Sequence, residues 1–396
     1  MKVYADNAAT TKMSRKAIDA MLPCMETYFG NPSSLYSIGQ DAAVILQNSR
    51  ETMAKYLNAD PKEIYFTSGG SEADNQAIVS AAMTGKKKGK NHIISTAFEH
   101  HAVLHTLKKL EKQGFEITLL DVHENGIIDS KQVSDAIKDT TCLVTVMYAN
   151  NEIGTVQPIE QIGRICREKG VIFHTDAVQA AGHIAIDVKK QNIDMLSLSA
   201  HKFHGPKGTG VLYAKSGIAL VNIIEGGAQE RGKRAGTENV PAIAGMAAAF
   251  SDACENIDEN TKKVTTLRDE VINGLSEIPH SCLNGDAKKR LPGNINFCFE
   301  GVEGESILLM LDENGISVSS GSACASGSLQ PSHVLLAIGR PAEIAHGSLR
   351  ITLDAVNTEQ EAAYIIKTVP QVIEYLRNMS PVWRDLNSGK QQFILK

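Results

Sequence analysis

Through the first two-thirds of the chain, short apolar runs rich in β-branched residues alternate with stretches whose apolar positions recur at helical spacing. The runs predict strands over 63–67, 92–96, 115–121, 142–148, 171–176, 195–199 and 209–214. Helices are expected between several of them, over 71–83, 101–113, 130–137 and 159–168. Such alternation predicts an α/β fold with a mainly parallel, seven-stranded sheet covered on both faces. After a long helical stretch over 240–275 the texture changes. Strands are expected near 294–299, 316–319 and 348–353, with helices near 305–313, 332–337 and 358–377. These read as a smaller α+β C-terminal domain joined by the N-terminal arm. The boundaries are 14–254 for the large domain, and 1–13 with 255–396 for the small one.

A chain of 396 residues with 42% hydrophobic composition can bury the core that two such domains need. The net charge of −5 offers no basic face for nucleic acid. The one dense basic run, Lys86 to Lys90, reads as a solvated loop. Seven cysteines form no C-x-x-C pair, and the count is odd. That favours reduced thiols in a cytoplasmic protein over a disulfide framework. The first residues lack a signal-peptide core, and no apolar run has the length of a membrane span.

Candidate chemistry gathers at strand ends. The strand over 195–199 runs into His201-Lys202 and breaks at Gly205-Pro206, and the strand over 171–176 ends in Asp176, followed by Gln179. A lysine held in an apolar setting becomes a usable amine nucleophile. A buried acid nearby can hold a protonated pyridine nitrogen. These are the two groups that pyridoxal phosphate needs most. An exposed lysine and a turn aspartate remain the plainer alternative for the same residues. Ser68-Gly69-Gly70-Ser71-Glu72 follows a strand and opens a helix, which suits a phosphate monoester or an ordinary N-cap. His100 can lie against a flat ring. His101 and His105 have metal-ligand spacing but lack the glutamate of H-E-x-x-H, so no metal is expected. Asn150-Asn151 can orient a ring oxygen or simply form a turn. Ser199-Ala-His-Lys202 matches the S-x-x-K of penicillin-binding enzymes, but the S-D-N and K-T-G partners are missing.

The order of motifs resembles the cysteine desulfurases of iron–sulfur cluster assembly and nitrogen fixation, within the class V pyridoxal-phosphate aminotransferases. The likeness runs through Tyr4-Ala-Asp-Asn-Ala-Ala-Thr10, Gly30-Asn31-Pro-Ser-Ser34, Ser68 to Glu72, Glu99-His100 and Asn150 to Gly154. It continues through His174 to Gln179, His201-Lys202, Arg231 to Asn239 and Ser319 to Cys324. The resemblance implies a pyridoxal-phosphate-dependent transferase of the type I fold. It implies conversion of L-cysteine to L-alanine, with the sulfur carried as a persulfide. By the same resemblance, Lys202 carries the cofactor and Asp176 pairs with its ring nitrogen. His100 stacks on the ring and shuttles protons, and Asn151 and Gln179 touch ring substituents. Gly70, Ser71, Ser199 and His201 hold the phosphate, joined by Thr237 from the other subunit of a homodimer. Arg350 clamps the substrate carboxylate with help from Asn31. An iron–sulfur scaffold or another acceptor protein takes the sulfur. Three departures from the family pattern are Ser71 for threonine, Ala228 for a third glycine and Asp354 for glycine.

Ser319-Ser-Gly-Ser-Ala-Cys324-Ala-Ser-Gly-Ser328 contains nothing large enough to anchor a packed loop, so mobility is expected. An incidental thiol in a bland linker is the alternative. A thiol on such a tether is reactive, and the resemblance makes Cys324 the persulfide carrier of a desulfurase that delivers sulfur to scaffold proteins.

Overall fold

The computed structural model describes residues 1–320 and 331–395. Seven strands form the central sheet, in the order Ile64–Thr67, Gly210–Ala214, Met195–Ser199, Ile172–Asp176, Thr141–Thr145, His92–Thr96 and Glu116–Leu120. Gly210–Ala214 runs antiparallel to both neighbours, and the other pairs are parallel. Four strands, His92–Thr96, Thr141–Thr145, Met195–Ser199 and Gly210–Ala214, are buried along their whole length, because helices cover both faces. Glu116–Leu120 sits at an edge, which explains its mixed exposure. Because Gly210–Ala214 alone is reversed, the other six strands end on one side of the sheet. In open α/β sheets that side is where ligands bind.

The periodicity locates most elements to within a few residues. The helix expected from 71 starts at Gly70 and reaches Lys87, so Lys86 and Lys87 lie in its last turn rather than in a loop. Cations there oppose the negative end of the helix dipole. The stretch over 240–275 is two helices, Val240–Glu255 and Ile257–Ser276, because Asn256 leaves helical geometry with ψ at 12°.

A second core forms around an antiparallel sheet in which Asn294–Phe299 is flanked by Ser281–Leu283 and Ser348–Thr352. Phe297, Phe299, Leu349, Ile351, Ile365 and Ile373 fill it, and Val3 and Ala5 of the N-terminal arm pack into the same cluster. Each such side chain contributes roughly 1.5–3 kcal/mol when fully buried. Val3–Tyr4 pairs in parallel with Ile316–Ser317. Asp354 forms an ion pair with His204 at 3.0 Å, so the departure from glycine ties the second core to the loop after Lys202. Ala228 has φ −88°, a conformation that needs no glycine. Next to it Glu230 and Arg231 take positive φ, where Arg50 and the amide of Phe66 hold the buried Glu230 carboxylate. No helix of the described residues is long and apolar enough to cross a membrane.

Candidate active site

A cavity of about 460 Å³ opens where the strands of the large sheet end. A larger one, about 620 Å³, lies between Met13, Phe203, Ala253 and Val356, but it holds none of the predicted site residues. The smaller cavity is lined by Gly70, Ser71, His100, Asn151, Asp176, Gln179, Ser199, His201, Lys202 and Arg350. These come from six separate chain segments, and the strand ends bring them together. Two predicted residues are placed elsewhere in the single chain. Thr237 is exposed beside Arg234 and Glu238 at a different hollow of about 170 Å³. Asn31 is exposed, and its side chain accepts the Ser33 amide at 3.0 Å. Cys324 and residues 321–328 of its loop lie outside the described residues.

The floor is the end of Ile172–Asp176. Asp176 is buried and accepts the Val178 amide at 2.9 Å. Burial raises its carboxyl pKa, while His100, that amide and Lys202 work in the other direction. Asp74, on the first turns of the helix Gly70–Lys87, is a floor residue that sequence reasoning assigned no role. It is 1% exposed, and its Oδ1 has no hydrogen-bond partner among the described residues. Burial raises its pKa well above the ordinary value, and Asp176 and Glu99 push it further. The donor atoms of Asp74, His100 and Asp176 lie within 4.8 Å of one another. Two buried carboxyls this close disfavour ionising both at once. Ser197 alone favours charge at Asp74, whereas His100, Lys202 and the Val178 amide favour it at Asp176, so the proton sits on Asp74 and the charge on Asp176. His174 lies beneath them, bonded to Thr145 at 2.8 Å and Ser197 at 3.0 Å, and burial lowers its pKa to about 3. It is neutral and brings no positive charge to the floor.

Lys202 sits on the turn Ala200–Lys202 that follows Met195–Ser199, and its Nζ donates to the carbonyls of Ala8 and Ala9 at 2.5 and 2.8 Å. The N-terminal arm thus forms one wall, and Gln179 donates to Ala8 O at 3.0 Å. His100 caps the helix His101–Glu111 by accepting the Ala102 amide at Nδ1, 3.1 Å away. When neutral, His100 therefore carries its proton on Nε2.

Gly69 has φ +152° and offers no capping side chain to the helix Gly70–Lys87, whose first residues, Gly70 and Ser71, line the cavity beside Ser199. A Cβ on Gly70 would meet Val178 Cγ2 at 2.5 Å, so only glycine lets this terminus approach the strand end that carries Asp176. An uncapped helix N-terminus with adjacent hydroxyls suits a phosphate. The floor offers a buried carboxylate to a cationic ring nitrogen, and Lys202 offers an amine between them. This donor set fits pyridoxal phosphate.

Arg350 forms the opposite wall. Its Nη2 pairs with Asp6 at 2.9 Å, its Nη1 donates to Asn151 O at 3.2 Å, and its buried Nε has no partner among the described residues. Its main chain exchanges hydrogen bonds with Ser319 at 2.7 and 3.1 Å. Glu152 is buried nearby and accepts from Ser332, the N-cap of His333–Ala337, at 2.5 Å. Burial pushes its pKa up to about 7, against the pull of Ser332 and Arg350. Asp6 and Glu152 lie inside the motifs named above and Asp74 two residues beyond one, yet their partners are distant in sequence, and no local pattern announces them.

A lysine amine, a buried acid and a phosphate cradle at one sheet edge define a pyridoxal-phosphate enzyme of the α/β class. The chain belongs to the aminotransferase class-V family, whose model matches residues 3–365. Within it, the chain is 53% identical over 394 residues to the cysteine desulfurase IscS of Clostridium botulinum, covering 99% of each chain. It is 51% identical to the IscS of Methanosarcina thermophila, covering 96% of this chain and 94% of that one. A solved NifS-like protein superposes with a TM-score of 0.89 at 36% identity, covering 95% of this chain and all of that one. The protein SspA, solved in complex with cysteine, gives 0.80 at 36% identity, covering 90% of this chain and all of the other. The family uses pyridoxal phosphate, and the chain is a cysteine desulfurase.

Proposed function

We propose that this enzyme takes sulfur from L-cysteine, releases L-alanine and holds the sulfur as a persulfide on Cys324. One observation carries the reading: Lys202, Asp176 and Arg350 line one cavity of about 460 Å³ at the ends of the strands. Bound there through Lys202, pyridoxal phosphate supplies an electron sink that weakens bonds at the amino-acid Cα. Lys202, once freed by the substrate amine, takes the Cα proton. Asp176 keeps a proton on the ring nitrogen, and Asn151 and Gln179 orient the ring. Gly70, Ser71, Ser199 and His201 hold the phosphate. Arg350 binds the substrate carboxylate through its guanidinium fork. His100, with its proton on Nε2, serves the sulfur as acid and base. The Cys324 thiolate attacks the substrate sulfur as the Cβ–S bond breaks. In balance, L-cysteine and one thiol give L-alanine and one persulfide.

A homodimer is part of this reading. Thr237 lies away from its own chain's cavity, in keeping with a phosphate contact made across subunits. Leu22, Met25, Phe29, Leu35 and Tyr36 expose an apolar surface, with Leu35 at 95%. The acceptor is an iron–sulfur scaffold or another sulfur-accepting protein, and the compartment is the cytoplasm. The division into residues 14–254 and residues 1–13 with 255–396 remains our domain assignment, supported by one core around the large sheet and another around the small one. The test is a stoichiometric one. Holoenzyme given L-cysteine without reductant should yield one alanine per active site and one added sulfur on the peptide bearing Cys324. Alanine with free sulfide and an unmodified Cys324 would defeat the reading.

A further inference from the structure

Away from the cavity, one pair of nucleophiles differs from the other described cysteines. Cys282 and Cys298 are directly opposed in the antiparallel pairing of Ser281–Leu283 with Asn294–Phe299. The amide of Asn284 bonds Asn296 O at 2.8 Å and that of Glu300 bonds His280 O at 3.0 Å. Antiparallel ladders alternate, so 282 and 298 form a hydrogen-bonded pair with Cα atoms about 5.5 Å apart. A disulfide spans that separation, and directly opposed side chains leave the same face of a sheet. Asn284 Nδ2 donates to Cys298 Sγ at 3.1 Å, and Arg340 Nε holds the Asn284 carbonyl at 2.7 Å. Cys298 is buried among Phe98, Met147, Val334 and Leu335, whereas Cys282 is only half-buried. Met147 lines the active-site cavity, so the pair lies one layer behind its wall.

We propose that Cys282 and Cys298 form a dithiol site that hydroperoxides convert to a cross-strand disulfide. Electrostatics single out the attacking thiol. The neighbouring Cys298 thiol brings Cys282 down to about 7, with help from Arg340 and against burial and Glu300, while Cys298 itself is raised. Burial raises Cys24, and it pushes Cys142 up to about 11 and Cys166 and Cys254 up to about 12. An accessible thiolate beside a resolving thiol is the arrangement that peroxide-sensing cysteines require. The Cys282 thiolate attacks one peroxide oxygen, the O–O bond breaks, and the departing hydroxide takes a proton to become water. Cys298 then attacks the resulting sulfenic sulfur, its proton leaving with the hydroxyl as a second water. The two thiols are oxidised by two electrons, and the peroxide is reduced by the same two.

The experiment uses wild-type holoenzyme titrated with hydrogen peroxide. Free thiols are then alkylated with iodoacetamide, and a non-reducing digest is read by mass spectrometry. The expected product is a linked Cys282–Cys298 peptide pair, two hydrogens lighter and restored by dithiothreitol. It appears before Cys142, Cys166 or Cys254 loses any alkylation. Cys298→Ser should leave a sulfenic acid at Cys282 that dimedone captures, and Cys282→Ser should remove both products. The proposal is overturned if Cys282 remains fully alkylatable at a dose that has oxidised Cys324. It is equally overturned if Cys282 oxidises without ever linking to Cys298.

Discussion

The floor and the far wall of the cavity handle buried charge in opposite ways. The floor places Asp74 and Asp176 together over a neutral His174, with the positive charge of Lys202 acting on Asp176. At the far wall, Arg350 already has a counter-ion in Asp6 and a second carboxyl close by in Glu152. Two buried carboxyls set side by side are costly to ionise, and a cationic ring nitrogen would offset that cost at the floor. The wall needs no such help, and on the reading proposed above a substrate carboxylate bound by Arg350 would share its guanidinium with Asp6. The floor is therefore built for a resident cofactor and the wall for a ligand that comes and goes.

The largest expected effect comes from removing the amine. Lys202→Ala should lower alanine formation by on the order of 10³-fold or more, and borohydride should no longer fix cofactor to the protein. Next, the two floor acids should separate sharply. Asp176→Asn should slow turnover by roughly 10²–10⁴-fold, whereas Asp74→Asn, which mimics the protonated acid, should change kcat by no more than about threefold. Equal losses in the two variants, measured by steady-state kinetics, would break the division of roles at the floor.

At the wall the effects are smaller and fall on binding. Arg350→Lys loses one charge-assisted contact of about 1.5–3 kcal/mol, which should raise KM for L-cysteine roughly 10- to 100-fold. Asp6→Asn should act in the opposite direction and lower KM by a few-fold, because the competing carboxylate is gone. A rise in KM would make Asp6 a positioner of Arg350 instead.

The smallest effect is on stability. Burial raises Glu99 to about 8, even though Thr96 and the Met147 amide bond its carboxyl. A raised acid favours the folded state fully below its unfolded value near 4.5, and that contribution is lost as pH rises towards 8. The melting temperature of cofactor-free enzyme should therefore fall between pH 5 and about 8. Glu99→Gln should flatten that fall, as differential scanning calorimetry can show.

Much of the site was legible in the chain because its residues sit where apolar strands end. Lys202, Asp176 and His100 follow buried runs that announce themselves by composition. Asp74 did not, since an acid in the first turns of a helix reads as an ordinary dipole partner. Only the fold shows that it faces Asp176 across the floor. The helices Arg15–Glu26 and Ser37–Leu57 escaped the periodicity for a related reason. Their buried positions include Ala17, Cys24, Gly39, Ala42 and Ser49, small residues that make a faint apolar stripe. Large apolar residues there, such as Leu22, Met25 and Val44, face outward instead. Strand edges were read well because β-branched runs stop abruptly at the polar floor.

The central claim is that Asp176 alone keeps the charge and holds the ring-nitrogen proton. It is tested most directly by the nitrogen-15 chemical shift of labelled pyridoxal phosphate bound to three proteins. Wild type and Asp74→Asn should both show a protonated ring nitrogen at neutral pH, and Asp176→Asn should show an unprotonated one. A protonated nitrogen in Asp176→Asn, or its loss in Asp74→Asn, would contradict the account.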